Sequence, residues 1–198
     1  MAKSTNEKEI IPIVFATNEN YAPFAGVCIN SIIKNSSRDF IYKVFVFHTG
    51  LSNETIVSLN SIKSTNLSTT CLNINKNLES IKNNLYSHSY FSNEMYYRIL
   101  IPEILKEYKK VIYLDCDMIV LGDLSELFSL NLRSYCIGAV KNPLHKKMYD
   151  YIISNFDISP EKYINSGMLV INCEEFNKQN IKERSEERRV GKECRSRW

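Results

Sequence analysis

Residues 110–117 read KVIYLDCD, and this stretch decides the fold. Its first five residues, 110–114, are mostly apolar, as expected of a strand that is buried on both faces. Two carboxylates, Asp115 and Asp117, follow the strand directly. Upstream, similar apolar runs alternate with helical patterns. This alternation predicts an α/β domain with a mostly parallel central sheet and helices on both faces.

The remaining elements are predicted from hydrophobic periodicity and from the residues that start and stop helices. Further strands are predicted at residues 10–16, 43–48, 69–74, 136–140 and 167–172. Helices are predicted at residues 24–34, 52–62, 95–105, 123–128 and 145–154, with a polar loop at 83–92. Pro102 is expected to break the third helix, and Asp123 with Glu126 is interpreted as a capping box.

The composition excludes several classes of protein. The chain has 198 residues, of which 24% are charged and 44% are hydrophobic, so it has the length of about one domain and is not disordered. No apolar run reaches the roughly 18–20 residues that span a bilayer, and the polar N-terminus lacks the features of a signal peptide. The cysteines form no CxxC pair, which disfavours a zinc or disulfide framework, and no glycine-rich phosphate loop is found.

The last part of the chain, residues 184–198, differs in character from the rest. It contains six basic and three acidic residues and the only Trp, and it accounts for the whole formal net charge of +3. The segment resembles the translated read-through of a sequencing adapter, so we expect a natural domain over residues 1–183 and a non-native tail at 184–198. A solvated basic tail is the alternative. The remainder is neutral, which disfavours a nucleic-acid partner.

The pair of Asp115 and Asp117 indicates a metal site. Two like charges after a buried strand repel each other and resist desolvation, and a divalent cation would relieve both costs. Carboxylate oxygens favour Mn²⁺ or Mg²⁺, which leave ligand positions open for phosphates; the alternative is a solvent-facing turn. A DxD pair after a strand occurs in dehalogenase-type phosphohydrolases and in nucleotide-sugar transferases. Its position on the fourth strand favours the transferase.

Several stretches resemble one family and occur in that family's order. They are residues 13–21 (IVFATNENY), 95–99 (MYYRI), 111–120 (VIYLDCDMIV), 137–142 (IGAVKN) and 163–172 (YINSGMLVIN). Together they resemble glycosyltransferase family 8, a group of retaining enzymes. The resemblance implies the type-A glycosyltransferase fold, a Rossmann-like α/β architecture.

The resemblance also implies a role for each matching residue. The nucleotide-sugar would contact Ala16, Thr17, Asn18, Asn20, Tyr21, Arg98, Asp115 and Cys116. Asp115 and Asp117 would hold Mn²⁺ (or Mg²⁺). The catalytic candidates at the transferred sugar are Asn165, Ser166 and Asn142, the last at a position where the family often has an acid.

The function implied is transfer of a hexose from UDP-glucose or UDP-galactose to a hydroxyl acceptor, with retention, in a cytoplasmic bacterial enzyme. The acceptor would be a glycan, a lipid-linked sugar or a protein. The family's C-terminal HxxGxxKPW-like segment, with a metal-binding His and a diphosphate-binding Lys, has no match here. We therefore expect an incomplete site, and the missing C-terminus could attach the protein to the inner face of the membrane. The alternatives are a dehalogenase-type phosphohydrolase and a non-catalytic nucleotide-sugar binding module.

Overall fold

The computed structural model describes residues 8–79, 96–155 and 159–182. The predicted loop at 83–92 and the tail at 184–198 lie outside the described residues. Within these ranges the strands are β1 (Ile10–Ala16), β2 (Ile41–His48), β3 (Leu67–Asn73), β4 (Lys110–Leu114), β5 (Ile137–Lys141) and β6 (Ile164–Asn172). The helices are α1 (Ala22–Asn35), α2 (Asn53–Ser61), α3 (Asn75–Glu79), α4 (Tyr97–Ile104), α5 (Leu124–Phe128), α6 (Lys146–Asn155) and α7 (Cys173–Lys178), with a 3₁₀ turn at Pro160–Lys162.

The strands form one mixed sheet in the order β3-β2-β1-β4-β6-β5. Strands β1, β2, β3 and β4 pair in parallel, whereas β6 is antiparallel to both β4 and β5. The prediction of a mostly parallel sheet is confirmed, with β6 as the reversed strand. Because β6 is reversed, its amino end lies at the same edge of the sheet as the carboxyl ends of β4 and β5.

Both faces of the sheet are covered by helices, as predicted. Ile11, Ile13 and Phe15 of β1 pack on one face, in a core that also includes buried residues of α1, α2 and α5. Val14 points to the other face, where α3, α4 and α7 contribute to a second core. Burial on both faces explains why β1 reads as a continuous apolar run instead of an alternating one.

Helices α3 and α7 were not predicted, and most predicted boundaries lie within two residues of the observed ones. Two predictions differ more from the structure. The last strand begins at Ile164 and not at 167, because residues 164 and 165 pair with Lys141 and Val140 across an irregularity in β5. Pro102 lies inside α4 instead of ending it. Burial of Tyr97, Leu100 and Ile101 against the sheet offsets the one helical hydrogen bond that a proline cannot donate.

Asp123 is the N-cap of α5, as predicted, but with different partners from those of a capping box. Its carboxylate accepts hydrogen bonds from the Ser125 backbone N–H at 3.1 Å and from the Ser125 hydroxyl at 2.7 Å. It also accepts one from the buried Tyr42 hydroxyl of β2 at 2.5 Å. The cap therefore joins α5 to the sheet as well as starting the helix.

Among the described residues, no helix combines the length and the apolar character that a bilayer crossing requires.

Candidate functional site

The predicted site residues meet at the edge where β1, β4 and β5 end and β6 begins. The Asp115 N–H donates to the Gly167 carbonyl at 2.7 Å, and the Asn142 N–H donates to the Tyr163 carbonyl at 3.1 Å. The Cys116 thiol donates to the Ala16 carbonyl at 3.2 Å, across the point where the strand order reverses between β1 and β4. Such switch points are where open α/β sheets bind ligands.

Asp115 is held by two side chains through a single oxygen. Its Oδ1 accepts a hydrogen bond from the Tyr113 hydroxyl at 2.7 Å and lies 3.3 Å from Nη2 of Arg98. Burial raises the pKa of Tyr113 far above its ordinary value, so the phenol keeps its proton and donates it to the carboxylate. Asp115 is therefore a half-buried carboxylate in a fixed orientation.

Arg98 connects three elements at this edge. The residue lies on α4, and its guanidinium pairs with Asp115 after β4 and donates to the Ser166 carbonyl at the start of β6. Its central carbon stands 4.4 Å from the centroid of the Tyr113 ring, within cation–π range. The resemblance predicts that Arg98 contacts the nucleotide-sugar, and the structure adds that Arg98 pairs with Asp115, the first carboxylate of the DxD motif.

Asp117 differs from Asp115 in that its side chain is exposed to solvent. Among the described residues, no cluster of three or more His, Cys, Asp or Glu side chains could hold a metal ion. The predicted metal ligands are the two hard carboxylates of Asp115 and Asp117, and no third such side chain clusters with them in the described part of the chain. This set fits a Mn²⁺ or Mg²⁺ ion that takes its other ligands from water and phosphate.

Asn165 and Ser166 lie in the strand β6, and both are exposed. The Asn165 side-chain oxygen accepts a hydrogen bond from the Gly167 N–H at 2.7 Å. Gly167 itself is buried against Asp115: a Cβ at this position would stand 2.6 Å from Oδ2 of Asp115. Only a glycine at position 167 allows Oδ2 of Asp115 to occupy its present position.

The segment 16–21 continues the same edge after β1. Thr17 is buried, and its N–H donates to the Phe47 carbonyl at 3.0 Å. The Asn18 side chain accepts hydrogen bonds from the N–H groups of Asn20 and Tyr21 at 3.1 and 3.2 Å. Asn20 and Tyr21 are exposed. The Tyr21 ring, at 5.7 Å from that of Phe24, is accessible for stacking.

Cys116 lies between the two carboxylates, and its thiol is buried. Burial is the main cause that raises the pKa of Cys116 to about 12, so the sulfur remains protonated and unreactive near neutral pH. Its contact with the Ala16 carbonyl gives Cys116 a structural role, in joining the ends of β4 and β1.

The sequence did not single out two residues that shape the site. Tyr113 was interpreted only as part of an apolar strand, although the two-residue period of a strand places it on the same face as Asp115. Glu19 was overlooked in the polar turn. Its carboxylate accepts hydrogen bonds from the Ser52 N–H and hydroxyl, each at 2.9 Å, and from the Thr55 hydroxyl.

The Glu19 bonds fix the segment after β1 to the start of α2. Ser52 is also the N-cap of α2, because its hydroxyl accepts a bond from the Thr55 N–H at 3.2 Å. The Thr55 and Ser52 donors hold the pKa of Glu19 below its ordinary value of 4.5. The Glu19 carboxylate is therefore ionised near neutral pH, and in that form it accepts the bonds from Ser52 and Thr55.

Comparison with known proteins identifies a family and similar folds. The profile of the family described as Glycosyl transferase family 8 matches residues 12–198. General stress protein A of Bacillus subtilis is 30% identical over 185 residues, which cover 89% of this chain and 60% of that protein. A putative glycosyltransferase of Haemophilus influenzae is 26% identical over 180 residues, which cover 87% of this chain and 52% of that protein.

Solved structures of similar shape carry the same architecture. The galactosyltransferase LgtC, in complex with donor and acceptor sugar analogues, matches with a TM-score of 0.67 and 23% identity, over 85% of this chain and 60% of that one. The apo structure of the bifunctional glycosyltransferase WbbM matches with a TM-score of 0.72 and 24% identity, over 90% of this chain and 34% of that one. These similarities show the fold, which is the α/β type-A glycosyltransferase fold.

The chain spans between one half and three fifths of the length of these two curated relatives. The family match favours the transferase interpretation of the DxD pair over the phosphohydrolase one. Because the matching profile covers nearly all of the sequence, the chain belongs to glycosyltransferase family 8.

Proposed function

We propose that this chain forms the donor-binding part of a retaining hexosyltransferase that uses a UDP-sugar with Mn²⁺ or Mg²⁺. The observation that carries the proposal is the ion pair between Arg98 and Asp115 at the strand-order switch point of the sheet, with the exposed Asp117 two residues further along the chain. Two carboxylates and a guanidinium are the groups that a metal–diphosphate complex requires. Family membership supports the same reaction class.

In this proposal the chain's residues bind and orient the donor. Asp115 and Asp117 hold the metal, which when bound acts as a Lewis acid that offsets negative charge on the departing UDP. The exposed Tyr21 ring stacks on the uracil, and Asn18 and Asn20 line the ribose side. Arg98 lies close enough to Asp115 to share its charge with the diphosphate.

The transferred sugar lies beyond the carboxylates, beside the start of β6. The exposed Asn165 and Ser166 side chains are placed to contact its hydroxyls, and the half-buried Asn142 extends the same edge. UDP-glucose and UDP-galactose are the donors proposed. A glycan, a lipid-linked sugar or a protein hydroxyl would be the acceptor.

The proposal predicts that metal and nucleotide binding depend on both carboxylates. Asp115→Ala and Asp117→Ala should each abolish Mn²⁺-dependent binding of UDP, measured by isothermal titration calorimetry on residues 1–198, because each removes a metal ligand. Removing the metal with EDTA should have the same effect on the unsubstituted chain. We expect binding by this chain to be weak and transfer to be negligible.

The matched control is Asp150→Ala, which removes an exposed carboxylate of α6 that is not a predicted ligand. This variant should bind UDP with Mn²⁺ as the unsubstituted chain does. If Asp115→Ala or Asp117→Ala binds as well as the control, the metal assignment is wrong. Binding without any transfer, even in a full-length protein, would instead support a non-catalytic binding module.

A further inference from the structure

We propose that Tyr113 is a positioning residue for the donor site, acting through both Asp115 and Arg98. The inference rests on the proposed function, since it assigns Asp115 to the metal and its diphosphate. Tyr113 does not touch the donor. It fixes the two groups that do, the carboxylate by its hydroxyl and the guanidinium by the face of its ring.

The contacts show how one buried side chain serves both groups. Tyr113 is 1% exposed, and its hydroxyl donates to Oδ1 of Asp115 at 2.7 Å. Its ring lies under the guanidinium of Arg98, with the central carbon 4.4 Å from the centroid. Arg98 reaches the same Oδ1 at the longer distance of 3.3 Å. The hydroxyl is therefore the shorter of the two restraints on the carboxylate.

The two carboxylate oxygens of Asp115 differ in their hydrogen-bond partners. Oδ1 has a phenol and a guanidinium as partners, whereas Oδ2 is adjacent to Gly167, where the lack of a side chain keeps its space open. The carboxylate torsion is intrinsically soft. Without the Tyr113 hydroxyl, the Asp115 carboxylate can rotate and present either oxygen to the metal, or neither. Metal binding would then have to order a carboxylate that is already ordered in the unsubstituted chain.

The chain contains a matched control for the loss of such a hydroxyl. Tyr42 on β2 is completely buried and donates to Asp123 at 2.5 Å, so it too forms a buried tyrosine–aspartate pair on the same sheet. Asp123 caps α5 and is not a predicted ligand. Tyr42→Phe therefore reproduces the loss of a buried hydroxyl and its bond to a carboxylate without touching the site.

The experiment compares Tyr113→Phe, Tyr42→Phe and the unsubstituted chain. Free Mn²⁺ is titrated by electron paramagnetic resonance in the presence of UDP, and thermal unfolding is recorded for each protein. Tyr113→Phe keeps the ring under Arg98, so we expect it to fold and to bind Mn²⁺ with UDP about tenfold more weakly, the scale found for residues that orient a metal ligand. Tyr42→Phe should lose comparable stability and bind as the unsubstituted chain does.

Equal binding of Mn²⁺ with UDP by Tyr113→Phe and the unsubstituted chain would overturn the inference. Equal weakening of binding in Tyr113→Phe and Tyr42→Phe would overturn it too, because it would indicate a general loss of stability. If the unsubstituted chain binds neither Mn²⁺ nor UDP, the proposed function fails instead. The positioning claim is then judged from crystal structures. The Asp115 carboxylate should leave its bond to Arg98 in Tyr113→Phe, and an unchanged bond would contradict the claim.

Discussion

Asp115 contacts Tyr113, Arg98 and the backbone of Gly167, and the third contact also limits where its carboxylate can lie. A methyl group at position 167 would stand 2.6 Å from Oδ2 of Asp115 and 3.1 Å from the Asn165 side-chain oxygen. Both distances are shorter than a van der Waals contact. The carboxylate must therefore move if Gly167 acquires a side chain.

Gly167→Ala should accordingly weaken the binding of UDP with Mn²⁺ by at least about tenfold, comparable to losing a residue that orients a metal ligand. Calorimetric titration of the variant measures the effect. Gly122→Ala is the control, because a Cβ at that position meets no atom within 4 Å. Similar affinities for the two alanine variants would mean that Asp115 does not contribute to binding in its observed position.

Asn142 is the residue at which donor choice can be tested. A carboxylate at this position accepts hydrogen bonds through both oxygens, whereas the amide of Asn142 accepts on one side and donates on the other. Asn142→Asp should therefore change the ratio of the affinities for UDP-glucose and UDP-galactose by several-fold, because a mismatched hydroxyl leaves a polar group unpaired. Titration of both donors against both proteins gives the ratio. An unchanged ratio would remove Asn142 from the sugar pocket.

At the residue scale, the charged candidate ligands are easier to recognise in the sequence than the uncharged side chains that contact them. Asp115 and Asp117 are conspicuous in the sequence because two like charges follow a buried strand, and their role as metal ligands stays a prediction. Tyr113 is not conspicuous, because a tyrosine in an apolar strand is usually there for its ring. The bond of its hydroxyl to Asp115 and the contact of its ring with Arg98 both depend on tertiary packing.

At the scale of elements, Glu19 links the segment after β1 to the start of α2, and this link depends on pH. Because Thr55 and Ser52 lower the pKa of Glu19 below its ordinary value of 4.5, the ionised form stabilises the folded state. The stabilisation is fully present above about pH 4.5 and is lost as the pH falls through the lower pKa of the folded protein. The link thus weakens only in acid.

Glu19→Gln should consequently lower the urea midpoint near pH 7, and the difference from the unsubstituted chain should shrink as the pH falls below 4.5. Equilibrium unfolding in urea between pH 3 and 7 measures this difference. Exposed Glu107, which forms no ion pair or side-chain hydrogen bond within the described parts of the chain, provides the control Glu107→Gln. A Glu19→Gln difference that stays constant with pH would show that the carboxylate charge does not stabilise the link.

The elements themselves were predicted with uneven success, for physical reasons. Strands β1 and β4 are buried on both faces, so their apolar runs are unambiguous. The reversed direction of β6 has no local signal, since it depends on pairing with β4 and β5. Its early start at Ile164 also reflects pairing with β5. Helix α4 continues through Pro102, because the burial of its apolar side chains outweighs the tendency of a proline to end a helix.

At the scale of the whole molecule, the sheet order explains why distant segments form one site. The strand order reverses between β1 and β4, and the reversed β6 brings its amino end to the same edge. As a result residues 16–21, 115–117 and 165–167 converge, although about 150 residues separate the first from the last. The fold class and these candidate positions followed from the sequence, whereas the bonds between them required the structure. The boundary at residue 183 stays a prediction.

The most direct test of the account uses the paramagnetism of Mn²⁺ to locate the metal on the folded chain. Backbone amide signals of residues 1–198 are recorded by nuclear magnetic resonance with UDP, before and after Mn²⁺ is added. Strong broadening is expected that is centred on Asp115 and Asp117 and extends to Thr17, Asn18 and Gly167. Broadening centred elsewhere, or an identical pattern in the Asp115→Ala variant, would contradict the proposed metal site.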